Sequence, residues 1–461
     1  MTDFFNIISD WLWTYVVITM LVGCALYFTW NLRAVQFTML PTMLRNLCTP
    51  SNSTSKGRKV SSFQAFAISL SSRVGTGNLA GVASAIFVGG PGAVFWMWVM
   101  ALLGASTAFM EATLAQLFKR KGEDCFYGGP AYYMKYGLKK PWMGILFAIF
   151  IIYGFGLANQ IIQSNTLCDA IGSTFKVPTY HVAMGLALMT LVIIFGGIHR
   201  IARFCAVVVP IMALGYILLA LYIFIVNITE IPAMLSLIVR SAFGWKQAAG
   251  GAVGVAIMQG VKRGLFSNEA GEGSAPNAAA TASIPHPVQQ GLLQSLGVFT
   301  DTLVICTCTA FIILLSGVYK PDGDDGIILT GHAMEHHLGS FGGWFLMAAI
   351  FLFAYSTIIA NYFYGETNIR YITNKSWAVT AFRLLSGVVI LMGGLMTLQQ
   401  AWGIVDFAMA LMTILNLIAV CLLSRYAFRL LQDYKEQRRQ GKQEPVFHKD
   451  LFPDADIEAW E

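Results

Sequence analysis

The sequence predicts an all-α polytopic membrane protein. One N-terminal helix precedes ten core helices in a 5+5 inverted repeat, with core helices 1 and 6 broken at mid-membrane. Three observations lead there. Of 461 residues, 56% are hydrophobic and only 12% charged, with a mean hydropathy of +0.63. Soluble domains carry about 25% charged residues, so this chain cannot clothe a water-facing surface. Eleven apolar runs are long enough to span a bilayer, and two of them are interrupted by glycine-rich polar stretches at corresponding places.

A spanning helix needs about 20 mostly apolar residues. Such runs lie near 11–30, 62–88, 92–118, 141–170, 178–197, 204–227, 246–283, 287–317, 341–370, 376–398 and 402–424. Several exceed thirty residues, which predicts tilt, breaks or ends reaching into water. The first run, Trp11 to Trp30, is long enough to remain as a span and does not read as a cleaved leader. The chain then divides into an extra helix and loop (1–61), a first five-helix repeat (62–227), a second repeat (228–425) and a tail (426–461). With the N-terminus outside, the inside loops hold fifteen Lys and Arg against four in the outside loops. That asymmetry predicts N-out, C-in. The tail reads as soluble, mixed in charge and peripheral, with "QDYKEQRRQGKQE" extending the last helix. The net charge of +6 sits in loops and tail, so it gives no case for a nucleic-acid partner.

The interrupted runs are the first and sixth of the core. One contains "SSRVGTGN", the other "FSNEAGEGSAPN". Unwinding a helix in mid-membrane frees amides and carbonyls that lipid cannot satisfy. Such groups are tolerated where they bind something: helix N-termini suit an anion, unwound carbonyls a cation. Paired breaks in two halves point to a carrier with its site at the breaks. An amino-acid carboxylate and a sodium ion would use both kinds of group. A channel would more naturally present a continuous polar lining.

The motifs "VGTGNLAGVASAIFVGGPGAVFWMWV" (74–99), "YGGPAYYM" (127–134), "RGLFSNEAGEGSAPNAAA" (263–280) and "FAYSTIIANYFYGE" (353–366) resemble those of the alanine/glycine:cation symporter family. The resemblance runs over nearly the whole chain except the tail. It implies a leucine-transporter-type fold and sodium- or proton-coupled uptake of a small neutral amino acid, alanine or glycine, by alternating access. Carried over by position, it implies that Gly75, Thr76, Gly77 and Asn78 hold the substrate carboxylate and that Gln163 makes a polar contact. Carbonyls around Ala270 and Gly271 would meet the ammonium. A monovalent cation would lie between the carbonyls of Ser71 and Val74 and the hydroxyls of Ser356 and Thr357. Many members of the family carry Gly-Trp where this chain has Ala360-Asn361. A smaller, hydrogen-bonding Asn361 widens the expectation to glutamine or serine.

Arg73 is a charge at mid-bilayer, which costs roughly 2.5–3.5 kcal/mol on insertion scales and so demands a partner. Glu269, Glu272, Asp301 and Glu111 are candidates, and an internal Arg73–Glu269 pair joining the two breaks is the expected arrangement. Glu366 and Asp406 read as paired structural residues. "HAMEHH" sets His332 and His336 one turn apart, a zinc-compatible spacing that lacks a third ligand. The eight cysteines have no metal or disulfide spacing. With no phosphate-binding loop and no nucleophile motif, the chain reads as a non-enzyme without a cofactor, its coupling ion apart. Its expected setting is the plasma (inner) membrane, as a monomer.

Overall fold

The computed structural model describes residues 8–48, 60–123, 125–244, 250–396 and 398–460. The first residues of the predicted N-terminal segment, and 49–59 of its loop, lie outside the described residues.

Among them, eight helices are long and apolar enough to cross a membrane. These are α1 (Ile8–Asn31), α5 (Gly92–Leu117), α7 (Pro141–Phe175), α9 (Gly197–Val226), α13 (Val288–Ser316), α15 (Ser340–Ile372), α16 (Ser376–Gly393) and α17 (Leu398–Arg439), with the short α2 (Leu40–Cys48) and α6 (Pro130–Tyr136) in the connections. The shortfall from eleven has a physical origin. Two predicted spans are the broken ones, and α8 (Thr179–Ile194) is shorter than a full span. Large apolar side chains cover the bundle's outside; on α9, Val207, Ile211, Leu214, Leu218 and Ile225 are all more than half exposed. Exposed apolar surface on that scale is a lipid-facing girdle.

The first broken run is α3 (Ser62–Arg73) followed by α4 (Gly77–Gly89). α3 begins with a capping box: the Ser61 hydroxyl accepts from the Gln64 amide, and the Gln64 side-chain oxygen accepts from the Ser61 amide. Small, apolar and hydroxyl residues occupy most of its positions on every face, and nearly all are buried, as an inner helix requires. The second broken run is α11 (Gly250–Asn268), then a loop, then α12 (Pro276–Ala279). Three of five successive loop residues take positive φ: Glu269 at 55°, Gly271 at 100° and Gly273 at 82°. Glycine is what makes that path accessible at 271 and 273.

α5 packs on α11, α12 and α13 and so lies beside the second break. Its Ala101, Ala105 and Ala108 form an apolar cluster with Ala270 and Val298. Small residues let the helices approach closely, since lipid gives no hydrophobic drive for their association.

Three segments differ from expectation. The predicted outside loop 228–246 contains α10 (Ile231–Ala242), too short to span, lying against α5 where Trp96 Nε1 donates to the Ala242 carbonyl at 3.3 Å. The acidic loop 318–340 contains α14 (Gly326–Leu338), seated on α4 through Thr330 Oγ1 to Leu79 O at 3.1 Å. The tail is not a loose appendage: after α17 ends at Arg439 it folds back onto the basic end of the bundle, burying Phe447 and Trp460.

Candidate substrate and cation site

The helix bonding of α3 stops at Val74, whose amide still reaches the Leu70 carbonyl while its ψ of 80° leaves the helical region. The next two amides find side-chain partners. Asn78 Oδ1 accepts from Gly75 N at 3.0 Å, and Gln163 Oε1, from α7, accepts from Thr76 N at 3.1 Å. Two carboxamide oxygens therefore hold two of the amides that the resemblance assigns to a substrate carboxylate. Gly75 has no room for more: a Cβ there would lie 2.6 Å from Thr357 Oγ1 and 3.1 Å from Gln163 Oε1. Gly77 lies against the Phe266 ring, 2.8 Å from an added Cβ.

The other edge of Asn78 looks away from the break. Its Nδ2 donates to Asp301 Oδ1 at 2.5 Å and to Ser267 Oγ at 3.2 Å, tying α4 to α11 and α13. Asp301 Oδ2 accepts from Ser267 at 2.5 Å and from Thr302 at 2.9 Å. A carboxylate surrounded by donors in this way fixes the relative positions of three helices. The sequence marked Asp301 only as an acid near Arg73 and missed Ser267, because the three residues are far apart in the chain.

Beside the break, Thr357 Oγ1 of α15 lies 2.8 Å from the Ser71 carbonyl, 3.4 Å from Val74 O and 3.5 Å from Ser72 O. An oxygen-only set of this kind fits a hard monovalent cation. Ser356 departs from expectation. Its hydroxyl donates back to Phe353 O at 3.0 Å, the usual recourse of a serine inside a helix, and its carbonyl accepts from Ser71 Oγ at 2.8 Å.

The second break meets the first through Phe266, Ser267 and the Glu269 carboxylate, whereas Gly271 is engaged elsewhere. The Gly271 amide donates to Glu111 Oε2 at 3.1 Å, and the Gly271 carbonyl accepts from Asn416 Nδ2 at 2.9 Å. Asn416 also bonds Glu111 and Tyr133, so α5 and α17 supply the polar groups that lipid cannot. The amide of Ala270 is satisfied by Asn268 Oδ1 at 3.0 Å.

Arg73 and Glu269 do not form the expected pair. Both Glu269 oxygens are taken by the hydroxyls of Ser72 and Ser274. Arg73 turns instead toward α13, where Nη1 donates to the Gln294 carbonyl at 3.2 Å and Gly297 leaves space; a Cβ at 297 would overlap that nitrogen. Among the described residues Arg73 forms no ion pair with Glu111, Glu269, Glu272 or Asp301, and its Nε has no hydrogen-bond partner. Glu272 is wholly buried with neither oxygen bonded. Asn361, one turn beyond Thr357 on α15, sets its carboxamide 2.7 Å from Ser72 Oγ, whose single proton it shares with Glu269, and the far edge of that carboxamide is unpartnered. Glu366 and Asp406 are paired as expected, with Arg370 at 2.7 Å and Lys262 at 2.6 Å. His332 contacts Asp324, and no metal-binding group occurs among the described residues.

Two helices broken side by side inside an apolar-girdled bundle are the architecture of a membrane transporter of the leucine-transporter type. The solved structure of MhsT in complex with L-phenylalanine shares the fold, with a TM-score of 0.54 over 82% of this chain and 89% of that one at 14% identity. The chain belongs to the sodium:alanine symporter family, which matches residues 1–449. It is 48% identical to the probable sodium/glutamine symporter GlnT of Bacillus subtilis (strain 168), over 99% of this chain and 95% of that protein. It is 37% identical to the sodium/proton-dependent alanine carrier protein of Bacillus sp. (strain PS3), over 87% and 94% respectively.

Proposed function

We propose that this chain is a sodium-coupled symporter that imports a small neutral amino acid across the plasma membrane by alternating access, with its N-terminus outside and its C-terminus in the cytoplasm. The observation that carries the reading is the junction at Gly75. The amides of Gly75 and Thr76 are held by Asn78 and Gln163 while the preceding carbonyls of Ser71 and Val74 gather around the Thr357 hydroxyl. One short unwound segment thus offers an anion site on one side and a cation site on the other. A cation between α3 and α15 orders that segment. A substrate carboxylate then displaces the two carboxamide oxygens, so each ligand prepares the site for the other.

Alanine and glycine are the substrates the family implies. A specific observation favours a larger, polar side chain such as that of glutamine: Asn361 is buried with one edge of its carboxamide unpartnered, and a buried polar edge needs a partner. The similarity to GlnT supports the same reading. Asn361→Trp fills that wall and removes the hydrogen-bonding edge. In competition against labelled alanine, the variant is expected to bind glutamine at least roughly tenfold more weakly and alanine about as before, a difference of about 1.4 kcal/mol. An unchanged glutamine-to-alanine ratio would remove Asn361 from the specificity wall.

A further inference from the structure

The tail after α17 is the outer layer of a closure at the basic end of the bundle, the cytoplasmic end in the proposed orientation. Both inner arms of the broken helices meet there. The chain entering α3 is joined to the link after α12: Val60 pairs with Ala282 in a parallel bridge, and Ser283 N donates to Val60 O at 3.0 Å. The end of α5 closes on that same link. Lys119 Nζ donates to the Ala282 carbonyl at 2.9 Å, and Gln116 Nε2 donates to Ala282 O at 3.1 Å.

The tail covers this junction. Gln437 exchanges two hydrogen bonds with the Val446 backbone at 2.8 and 3.0 Å, turning the chain back on itself. Phe447 N donates to Pro285 O at 3.0 Å, and its ring packs on His286 and Trp460. Trp460 Nε1 donates to the Gln116 carbonyl at 3.0 Å. The Lys119 ammonium lies between the Phe126 and Trp460 rings, 4.2 and 4.4 Å from their centres. Arg120 joins Asp456 at 2.8 Å and Glu458 at 3.2 Å, and Glu458 also accepts from the Lys121 amide. A solvated tail has no reason to hold Phe447 at 2% and Trp460 at 8% exposure.

We propose that residues 446–460 form a latch on the basic end: seated, they hold the inner arms of both broken helices closed, and inward opening requires them to lift. A path from Gly75 to that end must separate the three segments joined at Ala282: the chain entering α3, the 280–287 link and the end of α5. The tail seals two of those three segments together and bonds to neither the substrate residues nor the cation cage. Its hold divides between an apolar part, Phe447 and Trp460, and exposed ion pairs at Arg120, which contribute little individually. Loss of Trp460 should therefore matter more than loss of either carboxylate. The proposal rests on the alternating-access reading above.

The test is hydrogen exchange on the full-length protein in lipid nanodiscs, comparing wild type, Trp460→Ala and the double variant Asp456→Asn/Glu458→Gln. The latch predicts that Trp460→Ala speeds amide exchange in 62–73 and 281–287 by at least roughly threefold, while 77–89 and α16 stay unchanged. The double variant shows the same pattern more weakly. Faster exchange confined to 446–460, with the inner arms unchanged, would overturn the latch, because the tail would then have lifted without consequence. If Trp460→Ala does not fold, the double variant decides alone, since it leaves the apolar contacts intact. Exchange needs no transport, so a failed latch is distinguishable from a failed symport reading, which uptake measurements test separately.

Discussion

Gly75→Ala is expected to abolish coupled uptake, lowering it by roughly a hundredfold or more, about 2.7 kcal/mol in the transport cycle. A methyl group at 75 would lie 2.6 Å from Thr357 Oγ1 and 3.1 Å from Gln163 Oε1, so one or both must move. Those atoms are the hydroxyl of the cation cage and the carboxamide that holds the Thr76 amide. One methyl thus disturbs both halves of the junction. Gly75 is not among the glycines with positive φ, so alanine is not excluded by backbone conformation. The control lies in the same broken helix. A Cβ at Gly81 meets nothing within 4 Å, so Gly81→Ala is expected to transport normally. Uptake into proteoliposomes, with detergent-state melting to confirm folding, checks both. Comparable loss in the two variants would mean that the broken helix merely tolerates no change, and the junction at 75 would lose its special role.

Thr357→Ala is expected to raise the sodium concentration for half-maximal uptake by about tenfold, about 1.4 kcal/mol, with transport recovering at saturating sodium. The Thr357 hydroxyl reaches the carbonyls of Ser71, Ser72 and Val74, whereas the Ser356 hydroxyl points back along its own helix. Thr357→Ser keeps the oxygen and should keep the sodium response. A purely structural role predicts something else. Losing the bond from α15 to the Ser71 carbonyl would then depress uptake equally at every sodium concentration.

Much of the fold and site is legible in the sequence, for identifiable reasons. The breaks are visible because lipid tolerates glycine and polar residues inside an apolar run only where a ligand or a close helix contact uses them. Thr357 and Asn361 emerge together because four residues apart on a helix means one face, so a motif on α15 carries its geometry with it. What the sequence does not yield depends on partners distant in the chain. That the second break approaches through Phe266 and Ser267, leaving Gly271 to Glu111 and Asn416, follows from where α5 and α17 pass. Arg73 is expected from sequence to find the nearest acid across the break. Two serine hydroxyls already satisfy Glu269, and a glycine on α13 makes room elsewhere. The tail misleads through its mixed charge; its Phe447 and Trp460 are the signal that it packs.

In the proposed cycle a sodium ion and an amino acid move together through one site at the Gly75 junction. The most direct measurement is uptake of labelled glutamine and labelled alanine into proteoliposomes holding an inward sodium gradient, repeated after an ionophore collapses that gradient. Accumulation of at least one of them above the outside concentration, lost on collapse and absent in Gly75→Ala, is the predicted result. Uptake that only equilibrates and ignores the gradient would contradict coupling and favour a channel-like path.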